Sequence, residues 1–207
     1  QAVVAGTFTQ NKVAAAPVYV SKEVVATGTA HAIVANAGCA NACTGQQGLD
    51  DAHKMAQIAA DELGVNADDV IVGSTGVIGV NLPMDKLEAG IKDAVANLSD
   101  DGSGNAGRAI ITTDTHSKSV TCEFELSGKT VRMGAIAKGS GMIRPNMATM
   151  LCYITTDIAI DQTLLQKAVS GCVEKSFNMI SVDGDMSTND MVIVLANGEA
   201  NNAKITE

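Results

Sequence analysis

Short apolar runs and stretches of helically spaced apolar residues take turns along this 207-residue chain, and glycines stand at many of the switches. A chain punctuated this way is restricted to the α/β class, because neither sheet nor helix can bury its apolar side without the other. There is no linker-like Pro/Ser/Gly run and no internal repeat, so residues 1–207 read as one α/β domain.

Residues 2–9 and 13–20 read as strands, with a third apolar run at 31–35. Leu49, Ala52, Met55, Ala56, Ala59 and Leu63 recur at helical spacing, and Gly64 suits a left-handed helix end. Val70-Ile-Val72 is a short buried strand entering the turn Gly73-Ser-Thr-Gly-Val-Ile-Gly79. Pro83 fits the first turn of a helix whose inner face carries Met84, Leu87, Ile91, Ala94, Val95 and Leu98. Residues 100–105 read as a solvated loop and 109–111 as a strand. Ser127-Gly128-Lys129 joins two strands in a hairpin. Met150 to Ile154 is a strand, Asp161 caps a helix, and Met191 to Leu195 is the last strand. Gln1 leads straight into a strand-like run and the chain stops at Glu207 without a terminal element, so both ends look cut.

Composition excludes several functions. Hydrophobic residues make up 46% and charged residues 18%, with no apolar run of membrane-spanning length. A net charge of −9 without a basic stripe argues against nucleic acid. Five cysteines, an odd number in apolar contexts, fit reduced thiols in a cytoplasmic protein. Neither the cysteines nor the three histidines show metal-ligand spacing, and no metal is expected. The acidic run Asp183-Gly-Asp-Met-Ser-Thr-Asn-Asp190 resembles a calcium loop in composition. It lacks the closing glutamate and reads better as a hydrogen-bonded loop near the active site.

Three clusters carry chemistry. Gly73, Gly76 and Gly79 follow a buried strand at G-x-x-G-x-x-G spacing, which can serve a dinucleotide loop, a tight strand-to-helix turn or an oxyanion hole. The dinucleotide reading lacks a Tyr-x-x-x-Lys pair and a ribose-binding acid. Lys138, before Gly139-Ser-Gly141, is either an ordinary surface lysine or a point charge for a substrate carboxylate. Thr112-Thr-Asp114 can line a site or form a solvated turn.

The Lys138 cluster runs on as Lys138-Gly-Ser-Gly-Met-Ile-Arg-Pro-Asn-Met-Ala-Thr149, with a strand-like run immediately after Thr149. A threonine hydroxyl needs a base. A chain cut before Thr149 supplies one, because the new α-amino group has a pKa of about 8 and lies next to its own hydroxyl.

In order along the chain, Asn41-Ala-Cys-Thr-Gly45 with Gly48-Leu-Asp-Asp-Ala52, Ser74-Thr-Gly-Val-Ile-Gly79 with Leu82-Pro-Met84, Thr112-Thr-Asp114, Ala137-Lys-Gly-Ser-Gly-Met142, Met147-Ala-Thr-Met-Leu151 and Ser187-Thr-Asn-Asp190 resemble the ornithine acetyltransferase family, the bifunctional glutamate N-acetyltransferases of arginine biosynthesis. The resemblance covers essentially the whole chain. It implies a layered mixed-sheet α/β fold of the ornithine acetyltransferase and self-cleaving aminopeptidase type, superficially like N-terminal nucleophile hydrolases. It also implies self-cleavage between Ala148 and Thr149, giving an α chain (1–148) and the start of a β chain (149–207). Thr149 is then the nucleophile that takes acetyl from N2-acetylornithine and passes it to glutamate. Thr75 and Gly76 match the oxyanion hole, and Thr112, Lys138 and Thr149 match substrate-binding positions.

No cofactor is implied beyond acetyl-CoA as a co-substrate of bifunctional members. The implied partners are the two small-molecule substrates and an α2β2 assembly, without nucleic acid or membrane. Members of the family run well beyond this length, with further substrate contacts past Glu207, so this stretch alone is expected to lack part of the substrate site. The alternatives are a self-cleaving aminopeptidase or amidohydrolase, with water as acceptor, a nucleotide-binding oxidoreductase using the loop at 73–79, and a non-catalytic fragment sharing the fold.

Overall fold

Alternate residues of three adjacent strands enter two different cores, and this sets the layering. The computed structural model describes residues 1–143 and 150–206. In strands β1 (Ala2–Phe8), β7 (Leu151–Thr156) and β8 (Met191–Ala196), Val4, Leu151, Tyr153, Met191 and Ile193 face one core. Their neighbours Ala5, Cys152, Val192 and Val194 face the other. Such double-sided burial demands a layer on each side.

These strands belong to a six-stranded sheet of order β2-β1-β8-β7-β6-β5, with β2 at Thr29–Ala30, β5 at Lys118–Leu126 and β6 at Lys129–Lys138. All pairings are antiparallel except β7 with β8. One face is covered by helix α5 (Gln162–Glu174) through Leu165, Val169 and Val173. The other meets a second, parallel pair, β3 (Ala32–Cys39) and β4 (Val70–Val77), together with helix α1 (Ala16–Thr27).

In β4 the alternation repeats, with Ile71 toward the large sheet and Val70 and Val72 toward helices α2 (Gly45–Leu63) and α3 (Met84–Ala96). The stack is helix, sheet, sheet, helix, as the mixed-sheet expectation requires. A short helix, α4 (Ser103–Ala109), lies before β5.

The expected hairpin turn is present, with Ser127 and Gly128 at φ 50° and 76°, the two positive angles that match the strand twist. Asp161 caps α5, its Oδ1 accepting the Thr163 amide at 2.9 Å, and Gly64 ends α2 in the left-handed region.

Four expectations are corrected. Residues 13–20 belong mostly to α1, not to a strand. The valines suggested a strand, but Pro17 in the first turn and Gly28 at φ 86° mark helix start and stop, and Val18, Ser21, Val24 and Val25 form its buried side. Residues 109–111 are not a strand: α4 includes part of the expected loop, and Ile110 is the buried apolar anchor at its end. Residues 73–77 continue β4 and do not form a turn. On α3 only Ile91 is fully buried, while Leu98 lies past the helix end and is exposed.

Among the described residues β4 pairs with β3 alone, and α1 lies along its other edge. The buried Ser21 hydroxyl donates to the Val72 carbonyl at 2.7 Å and accepts the Val72 amide at 2.9 Å. Ser21→Ala strands both buried groups. It is expected to lower the unfolding free energy by about 1–3 kcal/mol, read as a lower urea midpoint with unchanged slope.

Candidate active site

Lys138 ends β6 opposite Leu151, the first residue of β7, and Leu151 in turn faces Met191 of β8. This corner of the large sheet approaches the end of β4. Lys138 is buried at 3% exposure, and its Nζ donates to Thr75 Oγ1 and Thr112 Oγ1, both at 3.0 Å. The structure therefore brings together three of the sequence-predicted residues, with Gly76 next in the chain. Lys138 is not an ordinary surface lysine.

The contact also decides what Thr75 can donate. A hydroxyl has one O–H and two lone pairs. Because the ammonium occupies a lone pair of Thr75, the Thr75 proton is left to donate, and a donor polarised this way is strengthened. Exposure changes abruptly here: Ser74 and Thr75 are buried, whereas Gly76 and Val77 are open to solvent. The hydroxyl thus stands at the boundary between core and solvent. Of the three Lys138 N–H donors, two are used among the described residues.

The loop after Lys138 is stitched to residues 112–114. Ser140 and Thr113 hydroxyls lie 2.8 Å apart, and Asp114 Oδ1 accepts the Gly139 amide at 2.7 Å and Lys118 Nζ at 2.6 Å. Residues 112–114 are thus an exposed bend at Thr112 and Thr113 that is tied by hydrogen bonds to the end of β6.

The acidic run is the hydrogen-bonded loop expected from sequence, and no metal-binding cluster occurs among the described residues. Asp183 accepts the amides of Met142 (2.6 Å) and Ile143 (2.9 Å), and Asp190 Oδ1 accepts that of Met150 at 2.9 Å. The two carboxylates thus hold residues 142, 143 and 150. Asn189 donates to the Ala40 and Ser74 carbonyls at 2.6 and 2.8 Å, tying the same run to the residue before Thr75. Ser74 also donates to Asn36 Oδ1 at 2.6 Å. The site-fixing roles of Asn189, Asp183 and Asp190 were not assigned from sequence; the motif Ser187-Thr-Asn-Asp190 was visible, but both backbone partners of Asn189 lie more than a hundred residues away.

The nucleophile candidate Thr149 and the scissile partner Ala148 lie outside the described residues.

Electrostatics at this corner are those of buried charges. Burial pulls the Lys138 ammonium below the ordinary lysine value, while the nearby Asp114 and Asp190 carboxylates act the other way. Burial pushes Asp190 up to about 7, against the Met150 amide, the Ser187 hydroxyl and the Lys138 charge. Cys152 is pushed up to about 11 by burial, so it is no thiolate nucleophile at neutral pH.

The dinucleotide reading fails on geometry. Residues 73–77 are strand, and the next helix begins only at Met84, so no helix N-terminus stands at the glycines to face a pyrophosphate. The glycines have another use. Gly76 sits at φ 130°, and a side chain there would run into the backbone of Gly38 on the paired strand. Gly73 leaves room for the Tyr153 hydroxyl between the two sheets. A broad groove of about 770 Å³ lined by Thr121, Arg132, Met133 and Thr155 contains none of these residues.

The chain is similar to known proteins along its whole length. The profile described as the ArgJ family matches residues 1–207. The arginine biosynthesis bifunctional protein ArgJ of Symbiobacterium thermophilum is 55% identical over 201 residues, 97% of this chain and 50% of that protein. The glutamate N-acetyltransferase of Methanothermobacter thermautotrophicus is 52% identical over 193 residues, 92% of this chain and 48% of the relative. The chain thus spans about half the length of the curated relatives it matches. Among solved structures, the ornithine acetyltransferase of Mycobacterium tuberculosis, complexed with ornithine, superposes with a TM-score of 0.63 at 36% identity, covering 73% of this chain and 79% of that one.

Gly76→Ala forces both a strained backbone angle and a collision with the Gly38 carbonyl. A stability loss of about 1–3 kcal/mol or more is expected, measurable as a lower thermal midpoint, whereas the same change at exposed Gly104 should cost little.

Proposed function

The chain belongs to the ArgJ family, and from that premise we propose that it forms the nucleophile-bearing part of an acetyltransferase that moves acetyl from N2-acetylornithine to glutamate. One observation carries the reading furthest: Lys138 Nζ joins Thr75 and Thr112, 3.0 Å from each, at the sheet corner from which β7 starts two residues after Thr149.

In this reading the chain is cut between Ala148 and Thr149, into α (1–148) and β (from 149). The Thr149 hydroxyl passes its proton to its own α-amino group and adds to the acetyl carbonyl. Thr75 O–H and the Gly76 amide take the resulting oxyanion, each worth roughly 3 kcal/mol of barrier. Collapse breaks the C–N bond, the ornithine nitrogen takes the proton from the α-ammonium, and acetyl-Thr149 remains. The glutamate amine then adds to the acetyl carbon and gives a proton to the α-amino group; the ester C–O bond breaks, and the Thr149 oxygen takes that proton as N-acetylglutamate leaves. Separate half-reactions of this kind give ping-pong kinetics. Thr112 and Lys138 serve the substrate, with the third Lys138 N–H as the donor for a polar substrate group.

The transfer needs no cofactor, and acetyl-CoA is the co-substrate by which a bifunctional member would also acetylate glutamate. An α2β2 assembly in the cytoplasm completes the proposal. All five cysteines are free thiols, and no helix among the described residues is long and apolar enough to cross a membrane. A hydrolase of the same architecture, with water as acceptor, differs only in the second half-reaction.

Intact mass of the natural full-length chain is expected to show two polypeptides with the break before Thr149, and Thr149→Ala a single one. Incubation with N2-acetylornithine labelled in its acetyl group should leave one acetyl on the β chain; free labelled acetate without retained label would select the hydrolase. An uncut wild type indistinguishable from Thr149→Ala would remove the nucleophile. Thr75→Val deletes one oxyanion donor, so kcat is expected to fall on the order of 10²-fold, with cleavage and kcat followed separately.

A further inference from the structure

Two side chains close the edge of β4 that no strand pairs with among the described residues. Backbone groups of alternate residues in a strand face the same edge. Ser21 takes both groups of Val72, and Asn189 takes the carbonyl of Ser74 at 2.8 Å. Gly76, two residues further on, is already exposed to solvent. Ser21 belongs to the helix along that edge, whereas Asn189 lies two residues before β8 and therefore ties the large sheet to the small one.

The Asn189 carboxamide is fully used. Nδ2 donates to the Ser74 carbonyl and, at 2.6 Å, to the carbonyl of Ala40 just past the end of β3, while Oδ1 accepts the Thr188 hydroxyl at 2.6 Å. Carbonyl oxygens only accept, so the nitrogen is the atom that can face them. Asn189, Ser74 and Ala40 are all buried, and the carboxamide cannot swing aside without stranding two carbonyls. The run that carries it is moored in turn. The Thr188 carbonyl accepts the Ala15 amide at 2.8 Å, and Thr9 Oγ1 donates to the Ser187 carbonyl at 2.7 Å.

This clamp acts on the peptide that enters Thr75. A peptide unit is planar, so fixing the Ser74 carbonyl also fixes the Thr75 nitrogen. Ser74 is held by its side chain as well, through Asn36 at 2.6 Å. From the other direction Lys138 Nζ occupies one lone pair of Thr75 Oγ1. We propose that Asn189 is a positioning residue for the Thr75 hydroxyl: by clamping the Ser74 peptide to the end of β3 it fixes where the threonine side chain starts, and so where its O–H can donate. This rests on the oxyanion role of Thr75 given above. Asn189 touches no substrate; it acts through the backbone of its neighbour in space.

The test uses the natural full-length chain, with kcat expressed per cleaved molecule. Asn189→Ala should lower kcat about tenfold or more, with KM changed less than about twofold. In a Thr75→Val background the same change should cost less than about threefold, because a hydroxyl already removed cannot be misplaced. Thr188→Val keeps the carboxamide but frees its oxygen. It should give a smaller loss of kcat with the thermal midpoint within a few degrees, and it decides should Asn189→Ala fail to fold. Ser21→Ala weakens the same edge of β4 away from Thr75, so it should lower stability and leave kcat unchanged. Wild-type kcat in Asn189→Ala, or in Thr188→Val where the former does not fold, overturns the proposal. So does a tenfold loss that persists without the Thr75 hydroxyl, or one that Ser21→Ala reproduces, since both mark a merely structural role. The underlying reading fails separately: Thr75→Val with wild-type kcat removes the oxyanion role, whereas a Thr75→Val loss beside a fully active Asn189→Ala refutes only Asn189.

Discussion

A single ammonium group placed out of water organises this end of the molecule. Burying the Lys138 charge costs several kcal/mol unless polar partners surround it. The partners found are two threonine hydroxyls and the fields of Asp114 and Asp190. They come from three other parts of the chain, so satisfying one charge fixes four segments, its own included, relative to each other. Thr75 could not reach Lys138 unless β4 packed against the large sheet. Thr112 could not reach it unless residues 112–114 were stitched to the loop after β6. The site is in this sense a by-product of solvating a lysine with protein.

The layers supply the rigidity that such a network needs. Strands buried on both faces cannot shift by one residue without exchanging their cores, and β1, β7 and β8 are all of this kind. The register that places Lys138 beside Leu151, and Leu151 beside Met191, is therefore set by apolar packing far from any polar group. Small side chains are an advantage here. With so few aromatic residues, close approach of the two sheets rests on Ala, Val and Ile, and on Gly73 yielding space to Tyr153.

Much of this was legible in the residues, for identifiable reasons. The hairpin at 127–128, the Asp161 cap and the Gly64 stop are local devices whose cause and effect lie within a few positions. Lys138, Thr75 and Thr112 were picked out by motif order and resemblance, and the geometry groups them. Helix α1 was misread because valines favour strands locally, while its helical state is decided by tertiary packing and by Ser21 against β4. The glycines at 73–79 suggested a turn because glycine is ambiguous: it also permits the close approach of two backbones, which is its use at Gly76 beside Gly38. Asn189 and Asp183 escaped assignment because their partners are backbone groups, which leave no mark in side-chain chemistry.

The position of β7 inside the sheet carries a consequence for what a nick there could do. β7 is flanked by β6 on one side and by β8 on the other, and neither pairing depends on a covalent link through residues 144–149. Severing the chain before Thr149 would give up a tether whose loss costs little once the strand is zipped into both neighbours. The new terminus would begin one residue before Met150, whose amide Asp190 holds. A cut at that place would make a new end without releasing a fragment, because β7 is held by both of its neighbours.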